Sequence, residues 1–304
     1  MSKITIAVLQ PSLPHEMKPA QRLEKQLGMC EQAVRAGADC IFFPEFFLGS
    51  SFVMSLNGSS AELEMLRAYA RQKHVILGIN AFTPAEEAGR AVYNSVMVID
   101  AMGNLAQVYH KCRPYAGWEP TLVASAGHRL KLGEGPLVYK GEACTIGLAQ
   151  CIDLWVGSFM KELSMLGAEI VYVPSRMPLP HFLSTTVFAR VRAMENCNYV
   201  AVAGEAGRTA PGSFIAGPRL GGLEMDLTAA GVDEGIILKT VDLDWLRRQR
   251  STRPPIFEIR SEAEMSAKAR ATETDWTNAW YEAEKLKEFM RALEQAGYAE
   301  PSDP

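Results

Sequence analysis

The feature that most constrains the fold of this chain is a repeated order of apolar strand, amphipathic helix and apolar strand. Residues 3–10 form a largely apolar run, residues 18–36 place apolar side chains at helical spacing, and residues 38–43 form the next run. Gly37 stands where such a helix is expected to end. Continuous apolar strands are typical of a sheet with both faces covered, so the pattern predicts an α/β protein.

The second half of the chain repeats this order. A strand at 143–150 precedes a helix at about 157–166, and a strand at 168–173 precedes a helical pattern over 182–196. Further predicted elements are a helix over 61–73, a strand over 75–80, a hairpin of 92–100 with 105–110, and strands at 199–205, 213–217 and 235–242. Because no Gly/Ser-rich linker divides the halves, we predict one domain over residues 1–255.

The C-terminal segment, residues 256–304, has a different character. Residues 253–260 include two consecutive prolines and should be extended, whereas residues 274–296 repeat apolar side chains at spacings of three and four. We therefore predict a C-terminal extension that carries one amphipathic helix and is not a separate domain. The apolar face of this helix needs a partner surface, and both the parent domain and a second subunit remain open.

Composition argues against several classes of protein. The 31 basic and 35 acidic residues give no electrostatic reason to expect nucleic acid or a membrane surface as a partner. No apolar run reaches the roughly 18 residues that a membrane span needs, and the N-terminus lacks the layout of a signal peptide. We therefore expect a cytoplasmic location. The six cysteines show no C-x-x-C pair and no zinc-site spacing, so we expect free thiols and no metal.

Four residues with reactive side chains each come at the end of an apolar stretch: Glu45, Lys111, Glu119 and Cys151. A thiol, an ammonium and two carboxylates form a nucleophile and acid/base set suited to acyl transfer. Each residue also has an ordinary interpretation, as a loop carboxylate, a surface lysine, a turn glutamate and a core cysteine respectively. Their order along the chain, together with the surrounding sequence, favours the chemical interpretation.

Local context predicts how these groups ionise. Cys151 lies between an apolar strand and a helix, and a helix N-terminus should lower the pKa of its thiol. Burial of Glu45 would raise the pKa of its carboxyl toward the range useful for proton transfer at neutral pH. Lys111 near the thiol would favour the thiolate and could bind a developing oxyanion. Asp153 is expected to cap the following helix.

Together these motifs resemble those of the nitrilase, or carbon–nitrogen hydrolase, superfamily. Residues 36–45 resemble the family stretch that ends in Pro-Glu, residues 103–111 resemble its G-x-x-x-x-x-Y-x-K run, and residues 147–153 resemble its G-x-x-x-C-x-D pattern. Glu119, eight residues before Gly127, resembles the second glutamate of the family. Supporting likeness is found over residues 189–200, 212–218 and 234–243. The resemblance extends over about residues 3–250.

The resemblance implies a four-layer αββα sandwich, usually paired through the helix after the cysteine, with a C-terminal extension that reaches across the partner. A homodimer or larger homo-oligomer is therefore expected. The resemblance also implies a triad of Glu45, Lys111 and Cys151, with Glu119 orienting the lysine. The backbone N–H of Ile152 would help to hold the oxyanion. No metal or organic cofactor is expected.

Two further residues are predicted to contact the substrate. After Cys151 the family commonly has an Arg or aromatic residue and then Phe-Pro-Glu, whereas this chain reads Leu-Trp-Val-Gly-Ser over residues 154–158. Trp155 is therefore expected to alter the wall of the pocket and to reduce its space. Arg176 follows a strand on the catalytic side and is predicted to bind a substrate carboxylate, with an ordinary surface arginine as the alternative.

The resulting hypothesis is a thiol-dependent hydrolase that cleaves a non-peptide C–N bond of a small amide or N-carbamoyl compound and releases ammonia or an amine. Within the same family, nitrile hydrolysis and acyl transfer to an acceptor other than water remain open. A different class is a non-catalytic binding protein that keeps the fold, which the altered segment 155–157 leaves possible. A small molecule is the expected partner in each case.

Overall fold

A computed structural model describes residues 2–57, 60–85, 91–115, 118–176, 179–207, 212–219 and 226–252. The strands are β1 (Lys3–Gln10), β2 (Cys40–Phe42), β3 (Ile76–Pro84), β4 (Ala91–Ile99), β5 (Leu105–His110), β6 (Arg129–Lys131), β7 (Leu137–Lys140), β8 (Thr145–Leu148), β9 (Ile170–Pro174), β10 (Tyr199–Ala203), β11 (Phe214–Ala216), β12 (Leu227–Ala229) and β13 (Gly235–Asp242). The helices are α1 (Pro19–Arg35), α2 (Ala61–Lys73), α3 (Glu119–Ser125), α4 (Gly157–Met165), α5 (Leu179–Asn196) and α6 (Leu243–Thr252), with a 3-10 helix at Cys151–Trp155.

The strands form two sheets with closely related topology. The first has the order β13-β1-β2-β3-β4-β5, with β6 paired to β4. The second has the order β12-β11-β10-β9-β8-β7. In the first sheet β1, β2 and β3 are parallel, and in the second β8, β9 and β10 are parallel. Each parallel centre is joined by crossover helices, α1 and α2 in the first sheet and α4 and α5 in the second. Both βαβ predictions are confirmed.

The two sheets pack face to face through aromatic side chains. The ring of Phe42 on β2 stacks on the ring of Tyr172 on β9, with centroids 4.5 Å apart. A Cβ atom at Gly78 would lie 2.7 Å from ring atoms of both residues, so this close approach requires glycine. The Tyr172 hydroxyl donates to the Phe43 carbonyl at 2.6 Å, which satisfies the polar end of a buried ring.

Helices cover the outer face of each sheet. α1 and α2 pack on the first sheet in one core cluster, whose members include Leu23, Ala33, Leu63, Ile41 and Leu77. α4 and α5 contact β8 and β10 of the second sheet. The order of layers is therefore helix, sheet, sheet, helix, which confirms the predicted αββα sandwich. None of the helices in the described ranges has the length and apolarity needed to cross a membrane.

Several elements differ from the sequence expectations. α2 has the predicted bounds, but the strand predicted over 38–43 is reduced to β2; just before it the Asp39 carboxylate accepts a hydrogen bond from Thr5 N at 2.7 Å. The short strands β6, β7 and β12 carry weak apolar patterns, and neither they nor the helices α3 and α6 are predicted from the sequence. The predicted amphipathic helix over 274–296 and the extension over 256–304 lie outside the described residues.

Candidate active site

The two parallel sheet centres deliver polar groups to one edge of the sandwich. Glu45 comes shortly after β2 of the first sheet, and Cys151 and Arg176 come shortly after β8 and β9 of the second. Lys111 immediately follows β5, and Glu119 is the first residue of α3. Because the carboxyl ends of parallel strands meet at a common edge, residues far apart in sequence are brought into contact there.

Glu45 is held by two hydrogen bonds and is 1 % exposed. Its Oε1 accepts from Gln150 Nε2 at 2.8 Å, and its Oε2 accepts from the backbone N–H of Arg176 at 2.8 Å. Lys111 Nζ lies 3.9 Å from Oε1. Burial raises the pKa of this carboxyl, and the positive charge of Lys111 and the hydrogen bonds oppose the rise without cancelling it. The expectation for a buried Glu45 is confirmed.

Lys111 and Glu119 form a buried ion pair. Lys111 Nζ lies 2.8 Å from Glu119 Oε2, and their side chains are 3 % and 1 % exposed. The other carboxylate oxygen, Oε1, accepts from Asn94 Nδ2 at 2.6 Å, and the backbone N–H of Tyr115 also donates to Oε2. Burial disfavours the charge of Lys111, but the negative charges of the surrounding carboxylates outweigh it and raise its pKa. Glu119 is the first residue of α3 and lies inside the site, so its ordinary interpretation as a solvent-exposed turn residue is wrong.

Cys151 begins the 3-10 helix with a strained backbone. Its φ is +50°, a left-handed conformation that is uncommon for a residue with a Cβ and that occurs at functional sites. The turn is closed by a hydrogen bond from Asp153 N to the Gln150 carbonyl at 3.0 Å. The resulting sharp change of direction after β8 places the thiol beside Glu45, whose charge acts on its pKa.

The pKa of the Cys151 thiol is raised, so the expectation that a helix N-terminus lowers it is wrong. Burial is the main cause, and the negative charge of Glu45 adds to it. The positive charge of Lys111 acts in the opposite direction but is smaller. The thiol is therefore neutral at physiological pH, and its reaction as a nucleophile needs a base that removes the proton.

Asp153 holds the turn rather than capping α4. Its Oδ2 accepts from Gln150 N at 3.0 Å and from the Tyr109 hydroxyl at 2.7 Å. Burial raises the pKa of this carboxyl to about 6, although the charge of Lys111 and the Tyr109 hydrogen bond oppose the rise. Asp153 therefore stabilises the turn that carries Cys151 and does not cap α4 as expected. Its carboxyl, which interacts with Lys111, titrates near neutral pH.

Replacing Asp153 by asparagine should alter how stability depends on pH. A carboxyl whose pKa is raised from about 4 in the unfolded chain to about 6 in the fold stabilises below pH 4, and this contribution is lost as pH rises through 6. The free energy of unfolding of the native protein, relative to Asp153→Asn, should therefore fall by about 2 kcal/mol between pH 4 and pH 7. Urea unfolding at a series of pH values measures this, and parallel curves for the two proteins would contradict it.

The three predicted substrate contacts lie around the same turn. Ile152 directly follows Cys151, and Trp155 ends the 3-10 helix. The ring of Trp155 packs against Phe188 of α5 at 5.2 Å between centroids, and its carbonyl accepts from Arg192 at 3.2 Å. The position of Trp155 is thus set by α5. The oxyanion contact of Ile152 and the carboxylate contact of the Arg176 side chain stay predictions.

Sequence reasoning missed four groups that hold Glu45 and Glu119. These are the Gln150 amide, the backbone N–H groups of Arg176 and Tyr115, and the Asn94 amide, which Asn80 supports through a hydrogen bond from Nδ2 to Asn94 Oδ1 at 3.0 Å. For Asn94 and Gln150 a signal was present, since each is a polar residue within or directly after an apolar strand and a buried amide needs a partner. A backbone N–H carries no such signal.

No group of three or more potential metal ligands forms within the parts of the chain that are described. Every charge of the site is instead opposed by a neighbouring charge or a hydrogen bond. The site therefore contains a neutral buried thiol, a carboxyl with a raised pKa and a lysine charge held by a second carboxylate. This arrangement can move a proton from the thiol and can stabilise a negative charge that forms beside it.

Known proteins share this fold and are similar to this chain in sequence. Among solved structures, yeast Nit3, described as a member of branch 10 of the nitrilase superfamily, matches with a TM-score of 0.70 and 20% identity, over 85% of this chain and 97% of that one. A 2-oxoglutaramate amidase of Paenarthrobacter nicotinovorans is 26% identical over 74% of this chain and 79% of its own length. A citrullinase of Francisella tularensis is 27% identical over 63% and 69%.

The family profile described as carbon-nitrogen hydrolase matches residues 5–250. This match runs from within β1 to within α6. The chain belongs to the carbon-nitrogen hydrolase family, and it is a hydrolase of carbon–nitrogen bonds other than peptide bonds.

Proposed function

We propose that this protein is a thiol-dependent hydrolase of a small amide or N-carbamoyl compound and that it acts through a thioester on Cys151. The observation that carries the proposal is the buried cluster of Glu45, Lys111, Glu119 and Cys151 at one edge of the sandwich. A buried carboxylate with a raised pKa beside a neutral thiol is suited to take up the thiol proton and to return it later.

In the proposed acylation step, Glu45 accepts the proton of the Cys151 thiol while Sγ attacks the carbonyl carbon of the substrate. The negative charge that forms on the carbonyl oxygen is stabilised by Lys111 Nζ and the backbone N–H of Ile152. The tetrahedral intermediate then collapses, the C–N bond breaks, and Glu45 gives its proton to the departing nitrogen. Ammonia or an amine leaves, and the acyl group remains on sulfur as a thioester.

In the proposed deacylation step, Glu45 takes a proton from a water molecule, which attacks the thioester carbon. The C–S bond breaks, the sulfur regains its proton from Glu45, and a carboxylic acid or carbamic acid is released. Glu119 holds Lys111 in place through the 2.8 Å ion pair. The same carboxyl thus serves both half-reactions, which explains why two independent hydrogen bonds orient it.

The first test of this function is ammonia release from a panel of small amides, N-carbamoyl amino acids and nitriles. Release from the amides or N-carbamoyl compounds would support the proposal and would identify the leaving group. Release from nitriles alone would favour nitrile hydrolysis. An absence of release by folded protein across the whole panel would contradict hydrolysis of these bonds and would favour an unusual acyl acceptor or a non-catalytic binder.

We also propose that the substrate carries a carboxylate that the Arg176 side chain binds. The names of two relatives, 2-oxoglutaramate amidase and citrullinase, support this because both named compounds are carboxylic acids. Arg176 is well placed, since its own backbone N–H holds Glu45 at 2.8 Å and its side chain therefore starts beside the reacting groups. A guanidinium suits bidentate recognition of a carboxylate.

Replacing Arg176 by alanine should separate substrates by charge. We expect kcat/KM for carboxylate-bearing amides to fall by about 10- to 100-fold, mainly through a higher KM, because a charge-assisted hydrogen-bond pair is lost. Neutral amides should be affected little, since the backbone N–H that orients Glu45 is retained. Steady-state kinetics on matched charged and neutral amides measure the difference, with Arg176→Lys as the variant that keeps charge. Equal losses on both substrates would contradict the proposed contact.

We further propose that the protein forms a homo-oligomer through the α4 and α5 layer. Val187 and Val191 lie one turn apart on α5 and are 55 % and 39 % exposed. Such neighbouring apolar side chains on a helix face are suited to a subunit contact. Light scattering after size-exclusion chromatography, on the native chain and on a Val187→Glu variant, tests this.

A cytoplasmic location stays a prediction from composition.

A further inference from the structure

We propose that Gln150 is a positioning residue for the reaction and that its side-chain amide aligns the Glu45 carboxylate for proton transfer. Gln150 immediately precedes Cys151 and is fully buried. Its Nε2 donates to Glu45 Oε1 at 2.8 Å, so one short segment carries both the nucleophile and a donor to the base. This inference rests on the proposed function, because it concerns the base of that reaction.

The hydrogen bonds of Gln150 argue for a role at the site. Within the described residues its Nε2 donates to the Glu45 carboxylate, an ionisable group of the site. A buried amide that serves only packing can be satisfied by backbone carbonyls. Two other fully buried glutamines show this pattern: the Nε2 of Gln10 donates to the carbonyls of Gly231 and Asp233, and the Nε2 of Gln26 donates to those of Arg22 and Phe47.

The geometry of the base explains why an amide at this position matters. Glu45 Oε2 is fixed by the Arg176 backbone N–H, so the remaining freedom of the carboxylate is rotation about its side-chain bonds. The Gln150 amide removes that freedom by holding Oε1 from the opposite sheet. A donated hydrogen bond also favours the charged carboxylate and lowers the pKa of Glu45, which offsets part of the effect of burial.

Two substitutions of similar size separate this role from packing. Gln150→Leu removes the donor, so the pKa of Glu45 should rise and the acidic limb of the kcat/KM profile should move up by about one pH unit. Gln150→Glu keeps the shape but places a second carboxyl against Glu45. Two adjacent carboxyls share a proton, so the limb should move further than in the leucine variant. If Gln150 served only packing, Gln150→Glu should keep more activity than Gln150→Leu, because glutamate is closer to glutamine in shape.

The experiment measures kcat/KM for ammonia release between pH 4 and pH 9 for the native chain, Gln150→Leu and Gln150→Glu. Gln10→Leu is the matched control, since it removes an equally buried glutamine outside the site and should leave the limb in place. The proposal is supported if the pH midpoint of the acidic limb increases from the native chain to Gln150→Leu and again to Gln150→Glu. A limb that stays at its native position in Gln150→Leu, with activity lowered equally at every pH, would overturn it.

A second readout keeps this test separate from the proposed function. Alkylation of Cys151 by iodoacetamide, followed by mass spectrometry at each pH, reports proton removal from the thiol without any turnover. If the native chain releases no ammonia but the alkylation midpoints follow the expected order, the hydrolase proposal fails and the role of Gln150 stands. If the native chain is active but neither readout shifts in the variants, the hydrolase proposal stands and the role of Gln150 fails.

Discussion

Replacement of Cys151 by alanine should lower ammonia release by at least about 10⁴-fold while leaving the protein folded. Removing the nucleophile of a group of residues that acts as a unit eliminates nearly all of their combined effect. The thiol is buried and neutral, so its loss leaves no unpaired charge and only a small cavity. The measurement is the rate of ammonia release at saturating substrate, together with a thermal melt of the same sample.

The chain offers a matched control for this substitution. Cys197 is also buried and also has a positive φ, +48°, but it follows α5 and lies outside the site. Cys197→Ala therefore makes the same chemical change in the same backbone conformation and should keep turnover. If folded Cys151→Ala kept more than about one per cent of native turnover, the loss would be far smaller than removal of a nucleophile causes. That result would contradict the thioester proposal.

Replacement of Lys111 by methionine should produce the largest loss of stability in this protein. The side chain is 3 % exposed and lies 2.8 Å from Glu119 and 3.9 Å from Glu45. Without the ammonium, two buried carboxylates lose their countercharge, and breaking a buried pair from one side typically costs about 3–5 kcal/mol. Turnover should also fall by at least about 10²- to 10³-fold, because an oxyanion donor is lost. Urea unfolding and ammonia release measure the two effects.

Two comparisons isolate the cause of the loss. Lys111→Met with Glu119→Gln removes both charges of the pair, so the double variant should be more stable than the sum of the single changes predicts. Lys73→Met removes a lysine that also lies 2.8 Å from a carboxylate, that of Glu31, but in an ion pair at the surface, and should change stability far less. Equal losses for Lys111→Met and Lys73→Met would contradict the argument from burial.

The acidity of the buried groups also predicts how Lys111→Met responds to pH. The charge of Lys111 holds down the pKa of Glu45, so without it the pKa of this carboxyl in the fold should rise further above its value in the unfolded chain. Carboxyls with raised pKa values favour the fold at low pH, and this contribution is lost as pH increases. The variant should therefore recover part of its stability near pH 5 relative to pH 8.

Much of the fold could be predicted from local sequence. The bounds of α2 and the two βαβ halves were predicted because apolar spacing, a helix stop at Gly37 and continuous apolar strands act over a few residues. The short strands β6, β7 and β12 could not be predicted in the same way. Their residues are largely half-buried or exposed, so their pairing depends on the neighbouring strand rather than on their own pattern.

The site shows the same division. The positions of Glu45, Lys111, Glu119 and Cys151 could be chosen from motifs, since each motif is contiguous. The groups that hold Glu45 could not be chosen, because they lie 105 and 131 residues away along the chain. The protonation of Cys151 was mispredicted for a related reason. A local argument considered the following helix, whereas burial and the charge of Glu45 determine the pKa.

The sequence by itself determined the order of the elements, the family and the identity of four reactive side chains, because each depends on patterns within short segments. Only the tertiary structure decided which backbone and amide groups orient Glu45, that the thiol of Cys151 is neutral, and that Lys111 is paired with Glu119. Desolvation and charge interactions act across space, and the folded sandwich brings distant residues within a few ångströms of one another.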